Sequence, residues 1–290
     1  MSRDYATAKA FRRALEDRLS KIGEAEHVQV NRLRRQVAFD RLLMRLFRTE
    51  TAPWVLKGGY ALELRFRTAR STLDIDLTVQ RVMAATEEEA TRVLREMLQE
   101  AAGFPVADWF EFTIGPPVMD LDAAPYGGAR YPVEAWMDGR IFARFHLDAG
   151  IGDVVIQPVD IIECRDWLGF AGIATPGVRT ISREQQFAEK LHAYTLPRSS
   201  TNSRVKDIID LALLIRSGGL TMNRTADAVH LTFERRRTHE LQPSLPKPPR
   251  EWQGRFEVLA EECQLPGDMG ALFSEVEDFF ERMMKSGAQS

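Results

Sequence analysis

Seven consecutive residues, Leu73 to Val79, alternate strictly between apolar and polar side chains. A period of two predicts a β-strand with one apolar and one polar face, and it places Asp74 and Asp76 on the polar face. Their backbones would then lie roughly 7 Å apart, which lets both carboxylates converge on one or two hard cations. An isolated Asp-x-Asp is more often a pair of solvated carboxylates, so the strand alone does not establish a metal site.

A second feature lies a short distance upstream. The apolar run Trp54 to Leu56 stops at Lys57-Gly58-Gly59, and the spacing of apolar residues from Tyr60 to Arg67 predicts a short helix. Paired glycines that open a helix let backbone N–H groups approach a phosphate. A Gly-Gly pair alone is more often a plain turn, and both the P-loop and the Rossmann patterns are absent. Together with the two aspartates, the turn indicates a nucleoside triphosphate site.

The order of the predicted elements separates two parts of the chain. Two amphipathic helices are expected in about the first fifty residues and another over 87–101, with strands at 110–115, 131–137 and 141–148. Asp138-Gly139 between the last two strands is a hairpin signal. After about residue 180 only helices are predicted, at 183–194, 205–216, 224–236, 252–263 and 269–285. We therefore expect an α+β domain over 1–180 and a mainly helical domain over 181–290 that completes the active site.

Composition limits the classes of function. Thirty-nine Lys and Arg against 42 Asp and Glu give a formal charge of −3, so any contact with a polynucleotide must come from local patches. Cys164 and Cys263 lack the spacing of a zinc site or of a disulfide framework. No export signal and no apolar run of membrane-spanning length is present. A cytoplasmic location is the expectation.

Other candidate residues have weaker patterns. Asp148 ends a predicted strand, where it is either a further carboxylate of the site or a loop N-cap. Lys190 lies in a predicted helix, where most lysines are solvated, and Asp207 and Asp210 share one helical face. Arg236 belongs to the densest basic run of the chain, which could clamp phosphate or simply be a solvated helix end.

Four segments in this order resemble the AbiEii toxin family, and in particular its MenT-type members. The resemblance runs from about residue 32 to about residue 252. The segments are Leu56–Arg65 (LKGGYALELR), Arg70–Asp76 (RSTLDID), Gln186–Ala193 (QFAEKLHA) and Asp207–Leu211 (DIIDL).

The resemblance implies a minimal nucleotidyltransferase-like mixed sheet with flanking helices. It further implies a Mg²⁺-dependent toxin that adds nucleotides from NTP, pyrimidines being favoured, to the tRNA 3′ acceptor end and so blocks translation. A cognate antitoxin protein would neutralise it. Transfer to a protein acceptor and a non-catalytic binding role are the alternatives.

The resemblance also assigns roles to residues of this chain. The implied catalytic residues are Asp74, Asp76, Lys190, Asp207 and Asp210. The metal ligands would be Asp74 and Asp76, with Asp148 in the place of a third acid. Nucleotide binding falls to Lys57, Gly58, Gly59 and Arg236, and Thr72 matches a hydroxyl residue that some antitoxins phosphorylate. The chain departs from the family at Tyr60, where a small residue is frequent, and this leaves the base preference open.

Overall fold

The computed structural model describes residues 5–80, 82–121, 124–197 and 204–287. The helices are α1 (Ala8–Glu26), α2 (Val30–Leu46), α3 (Gly58–Arg65), α4 (Glu87–Ala102), α5 (Arg183–Thr195), α6 (Val205–Arg216), α7 (Met222–Arg236), α8 (Gln253–Glu262) and α9 (Met269–Gly287). The strands are β1 (Trp54–Lys57), β2 (Asp74–Val79), β3 (Glu111–Ile114), β4 (Met119–Asp120), β5 (Gly128–Met137), β6 (Arg140–Ile151), β7 (Asp160–Glu163) and β8 (Gly177–Thr180).

The chain divides into two compact units. The first comprises Met1–Tyr60, Ser71–Gly152 and Ile161–Thr180, and the second comprises Ala61–Arg70, Asp153–Asp160 and Ile181–Ser290. Two short segments from the amino-terminal half thus belong to the second unit.

The first unit is built on an eight-stranded mixed sheet with the order β3-β5-β6-β2-β1-β8-β7, and β4 pairs with β5. Strand β2 runs antiparallel to β1 and parallel to β6. Ile75, Leu77 and Val79 of β2 are fully or almost fully buried, as the alternation predicts. The predicted α+β class and mixed sheet are confirmed.

Helices α1, α2 and α4 pack against this sheet. Helix α1 buries Phe11, Leu15 and Leu19, which recur every four residues along one face. Thr7 caps its first turn, since the Thr7 hydroxyl accepts a hydrogen bond from the Ala10 N–H at 3.2 Å. The amphipathic pattern in the sequence therefore predicts both the helix and the face that it buries.

The second unit buries a core formed mainly by helices α5 to α9. Helix α5 begins at Ser182, whose hydroxyl accepts from the Gln185 N–H at 3.2 Å, as the Ser-x-x-Gln pattern predicts. The Gln185 side chain does not complete a capping box, because its carbonyl oxygen accepts instead from the Ile156 N–H at 2.9 Å. Helix α6 ends before Gly218, which has the positive φ expected after a helix.

The sequence patterns did not predict three of the strands, and they gave bounds that are too short for two others. β4, β7 and β8 contain only two to four residues each, too few for a periodic signal. β5 begins at Gly128, three residues before the predicted start, and β6 extends to Ile151. The last five residues of β6 are all buried, so no alternation marks them.

Among the described residues, no helix is long and apolar enough to cross a membrane.

Candidate functional site

The structure brings Asp74, Asp76 and Asp148 together on neighbouring strands of the first unit. Because β2 and β6 are parallel, Asp76 lies opposite Asp148 and Asp74 lies opposite His146. The His146 Nδ1 atom is 3.4 Å from Asp74 Oδ1. Asp74 and Asp76 are partly buried, and Asp148 is 9% exposed. The sheet therefore holds three carboxylates within a small area.

Two of these carboxylates belong to a row of charged residues that crosses four strands. Asp148 pairs with Arg130 of β5, and Asp76 pairs with both Asp148 and Lys57 of β1. Residues paired directly across a sheet project from the same face. The row runs from Arg130 through Asp148 and Asp76 to Lys57, so two acids are flanked by two bases.

Arg130 is a site residue that the sequence did not reveal. It forms a bidentate ion pair with Asp148, with both N–O distances at 2.7 Å, and its Nη2 lies 3.3 Å from Asp74 Oδ2. The hydrogen bond to Asp148 raises the pKa of Arg130, against the effect of burial, so it stays protonated. The strand predicted from the pattern started at Tyr131, one residue too late to include it.

The glycine turn lies directly beside Asp76. The Gly59 N–H is 3.4 Å from Asp76 Oδ2. Gly58 has a φ of +67°, and a Cβ at this position would lie 2.0 Å from the same oxygen. Only glycine fits there, both for its backbone conformation and for the approach of the carboxylate. The turn and the aspartates thus form one arrangement.

Tyr60 is 1% exposed, and its side chain lies in the core of the first unit. Its hydroxyl donates to the Asp40 carboxylate, and its ring packs edge-on against Phe39 at 4.7 Å. Trp167 Nε1 donates to the other oxygen of Asp40 at 2.8 Å. Tyr60 therefore anchors the start of α3, and its bulk gives no basis for a base preference.

Thr72 precedes β2 by two residues. Its hydroxyl lies 3.4 Å from the Asp74 carbonyl, and the Arg35 guanidinium donates to the Thr72 carbonyl at 3.1 Å. Arg35 also donates to the Ser71 hydroxyl at 3.1 Å. A phosphate on Thr72 would therefore be placed next to the aspartate strand.

The donor chemistry of the aspartates suits a magnesium ion. Mg²⁺ prefers oxygen ligands and is commonly held by one or two carboxylates together with substrate phosphates rather than by a complete protein cage. Asp74 and Asp76 supply that number beside a turn of backbone N–H groups. Within the described residues, no group of three or more His, Cys, Asp or Glu is arranged to hold a metal ion.

The second unit contains a buried ion cluster around Lys190. Lys190 Nζ lies 2.7 Å from Asp210 and 3.3 Å from Asp207. Arg70 binds Asp210 through two nitrogens at 2.7 and 3.0 Å, and Arg204 lies 3.2 Å from Asp207. The structure therefore brings together three residues that the sequence proposed and adds two arginines that it missed.

The charges of this cluster hold one another in the ionised state. Burial alone would lower the pKa of Lys190, but Asp210 and Asp207 outweigh it and the pKa is raised. Burial likewise opposes ionisation of Asp210, whose pKa is nevertheless lowered by Lys190 and Arg70. The pKa of Lys206 on the same unit is lowered, first by burial and then by Arg70 and Lys190. The two carboxylates thus favour the protonated form of Lys190.

Arg236 is also held by ion pairs within the second unit. Its Nε lies 3.0 Å from Asp153, and its Nη2 lies 3.4 Å from Glu189. His192 lies beside it, and burial followed by the charge of Arg236 lowers the pKa of His192 to about 3. Its neighbours Arg235 and Arg237 are exposed at the end of α7. Arg236 is therefore placed by two carboxylates, and a role in nucleotide binding stays a prediction.

Comparison with known proteins supports the resemblance found in the sequence. A profile of the family described as nucleotidyl transferase AbiEii toxin, type IV TA system, matches residues 41–282, most of the chain. No curated protein sequence matches significantly.

Two solved structures match this chain over most of its length. MenT4, a nucleotidyltransferase toxin from Mycobacterium tuberculosis H37Rv, is 16% identical with a TM-score of 0.59, over 97% of this chain and 90% of that chain. JHP933 from Helicobacter pylori is 15% identical with a TM-score of 0.48, over 89% of this chain and 94% of that chain. On the family match, this chain is a nucleotidyltransferase and belongs to the AbiEii toxin family of type IV toxin–antitoxin systems.

Proposed function

We propose that this toxin is a Mg²⁺-dependent enzyme that transfers nucleotides from NTP, with pyrimidines favoured, to the 3′ acceptor end of tRNA. The observation that carries the proposal is the placement of Asp74 and Asp76 on one strand face beside the Gly58-Gly59 turn. A family member that modifies acceptor ends would block translation in the cytoplasm, where tRNA is. The tRNA acceptor and the pyrimidine preference rest on the family resemblance.

The aspartates would hold the metal ion. Asp74 and Asp76 would be its ligands, with Asp148 as a third carboxylate beside them. When bound, Mg²⁺ neutralises phosphate charge and favours ionisation of the attacking hydroxyl. An RNA 3′-hydroxyl would attack the α-phosphate in line, its oxygen forming the new P–O bond as pyrophosphate leaves.

The glycine turn and Lys57 would bind the triphosphate. Gly58 and Gly59 lack side chains, so their backbone can come close to phosphate oxygens, and the following helix start favours negative charge. Lys57 lies opposite Asp76 in the sheet and on the same face, which puts a cation beside the carboxylates. Together they would orient the phosphates towards the metal ligands.

The cluster in the second unit contributes a fixed positive charge. Because the pKa of Lys190 is raised, Lys190 would neutralise phosphate charge and would not act as a base. The lowered pKa of Asp210 favours a role in orienting Lys190 over a role in accepting the attacking proton. We therefore assign Asp210, and with it Asp207, to the positioning of Lys190.

Membership of a type IV toxin–antitoxin family implies an antitoxin partner. We propose that phosphorylation of Thr72 is one way to inactivate the toxin. A phosphate adds roughly −1.5 to −2 charges, and at Thr72 it would compete with the triphosphate for cations near Asp74. The Arg35 guanidinium, already bound to the Thr72 carbonyl, offers this phosphate a partner.

The test is a transfer assay with each of the four α-labelled NTPs, total tRNA and Mg²⁺ or a chelator. We expect label in tRNA with a pyrimidine NTP, and no label when the chelator is present. Label in protein would support transfer to a protein acceptor instead. Absence of both label and pyrophosphate release under all conditions would indicate a non-catalytic binding protein.

A further inference from the structure

Arg130 binds carboxylates of the site directly. It contacts two of the three carboxylates of the site, Asp148 with two short hydrogen bonds and Asp74 with one longer contact. The Arg130 side chain is 28% exposed and that of Asp148 only 12%. A bidentate pair of this kind fixes both the distance and the orientation of its partner.

The two contacts are unequal. Each oxygen of Asp148 accepts an N–H at 2.7 Å, whereas Asp74 Oδ2 is 3.3 Å from Arg130. A cation that binds Asp148 directly would have to compete with a bidentate arginine for the same two oxygens. A cation that binds Asp74 would have to compete only with two longer contacts, one from Arg130 at 3.3 Å and one from His146 Nδ1 at 3.4 Å.

The row of charges shows why an arginine belongs there. Asp76 and Asp148 are direct neighbours across two strands, and Asp74 lies two residues from Asp76. Three carboxylates this close repel one another unless cations lie among them. Arg130 supplies a permanent positive charge, which no change of ion concentration removes.

We propose that Arg130 is a positioning residue that occupies both carboxylate oxygens of Asp148 and thereby limits the divalent-cation site to Asp74 and Asp76. This inference rests on the proposed metal-dependent function. Asp148 then acts through Arg130 and does not bind the cation itself. The nucleotide-free protein takes up one divalent cation at the two remaining aspartates, and substrate phosphates complete its coordination.

The experiment measures Mn²⁺ binding to the full-length protein without nucleotide, by electron paramagnetic resonance of free Mn²⁺. In Arg130→Met, Asp148 becomes available as a third carboxylate, and we expect Mn²⁺ to bind about tenfold more tightly because charged ligands set the affinity of oxygen sites. Asp148→Asn alone should leave the Kd for Mn²⁺ within about twofold. In the double variant with Arg130→Met and Asp148→Asn, the tenfold gain in Mn²⁺ affinity should be lost.

Two further variants separate charge from geometry. Arg130→Lys keeps the charge without the bidentate fork, so its Kd should lie between those of the wild type and Arg130→Met. Arg144→Met is the matched control, because Arg144 is an exposed arginine of the same sheet that pairs with Glu134 at 2.9 Å. It should bind Mn²⁺ as the wild type does. Circular dichroism of each variant reports whether the fold is kept.

The outcomes distinguish this inference from the proposed function. Equal Mn²⁺ binding by the wild type and Asp74→Asn, or no binding by either, would contradict the metal site and the role of Arg130 with it. Binding that requires Asp74 but is weaker or unchanged in Arg130→Met would overturn the inference alone. So would a tenfold loss in Asp148→Asn, since Asp148 would then be a ligand.

Discussion

Asp74 and Asp148 are chemically alike, but the structure surrounds them differently. Asp74 has one long contact with His146 and one with Arg130, whereas Asp148 forms a bidentate ion pair with Arg130. The availability of a carboxylate to a metal ion therefore depends on its neighbours more than on its place in a motif.

The first prediction concerns Asp74→Asn. The amide keeps the volume but withdraws the charge that would hold Mg²⁺, so transfer should fall at least about a hundredfold, as when one transition-state stabiliser is lost. The assay is steady-state NTP incorporation, with circular dichroism to show a retained fold. Asp120→Asn, at an exposed carboxylate of β4, is the control and should be fully active. A folded, active Asp74→Asn protein would contradict the metal assignment.

The second prediction compares two lysines of the second unit. Lys190→Ala should lower kcat/KM for NTP by about a hundredfold, because a fixed cation is lost. Asp210 and Asp207 keep their ion pairs with Arg70 and Arg204, so the second unit should still fold. Lys206→Ala should change kcat/KM by no more than about threefold. Similar losses in both variants would point to a general effect of charge.

At the scale of elements, the turn from β1 to α3 is more crowded than the hairpin turn between β5 and β6. Gly58 and Gly139 have nearly the same φ, +67° and +64°, but a Cβ would meet Asp76 at Gly58 and nothing within 4 Å at Gly139. The two glycines therefore have the same backbone conformation, but a side chain would clash only at Gly58.

We therefore expect Gly139→Ala to cost roughly 1 to 2 kcal/mol from backbone strain alone. Gly58→Ala should cost more and should also weaken Mn²⁺ binding, because Asp76 must move. Urea unfolding and Mn²⁺ titration of both variants give the comparison. Equal losses of stability with unchanged Mn²⁺ binding would show that the turn does not support the aspartate.

Asp40 links α2 to the start of α3 and to Trp167, and it is fully buried. Burial raises the pKa of Asp40 from 3.8 to about 6, although hydrogen bonds from Tyr60, Cys164 and Trp167 oppose the rise. Between these two values the folded protein binds more protons than the unfolded chain. The contribution of Asp40 to the free energy of unfolding is therefore largest below about pH 4. It falls by about 3 kcal/mol as the pH rises through 6.

Asp40→Asn removes this titration and should flatten the fall between pH 4 and pH 6. The measurement is the free energy of unfolding in urea at several pH values for both proteins. Parallel curves for the wild type and the variant would assign the pH dependence to other groups.

The sequence predicted those parts of the site that follow from local pattern. The alternation in β2 placed Asp74 and Asp76 on one face, and the glycine pair placed a turn before α3. Arg130 was missed because its strand begins with Gly128 and Ala129, which carry little periodic signal. Arg70 could not be recognised, since its partner Asp210 is 140 residues away in sequence.

At the scale of the whole molecule, the net charge of −3 gives no general attraction for RNA. Specificity for an acceptor must then come from local chemistry, and in the proposed reaction that chemistry is the attack of a 3′-hydroxyl. The family match establishes a nucleotidyltransferase, so the identity of the nucleophile is what remains to be measured.

The most direct measurement compares intact tRNA with tRNA whose terminal ribose has been oxidised by periodate, which removes the 3′-hydroxyl. The proposed function predicts one pyrophosphate released for each nucleotide added to intact tRNA with Mg²⁺, and neither product with oxidised tRNA. Equal pyrophosphate release with both tRNAs, or label that appears in protein, would contradict transfer to the tRNA 3′ end.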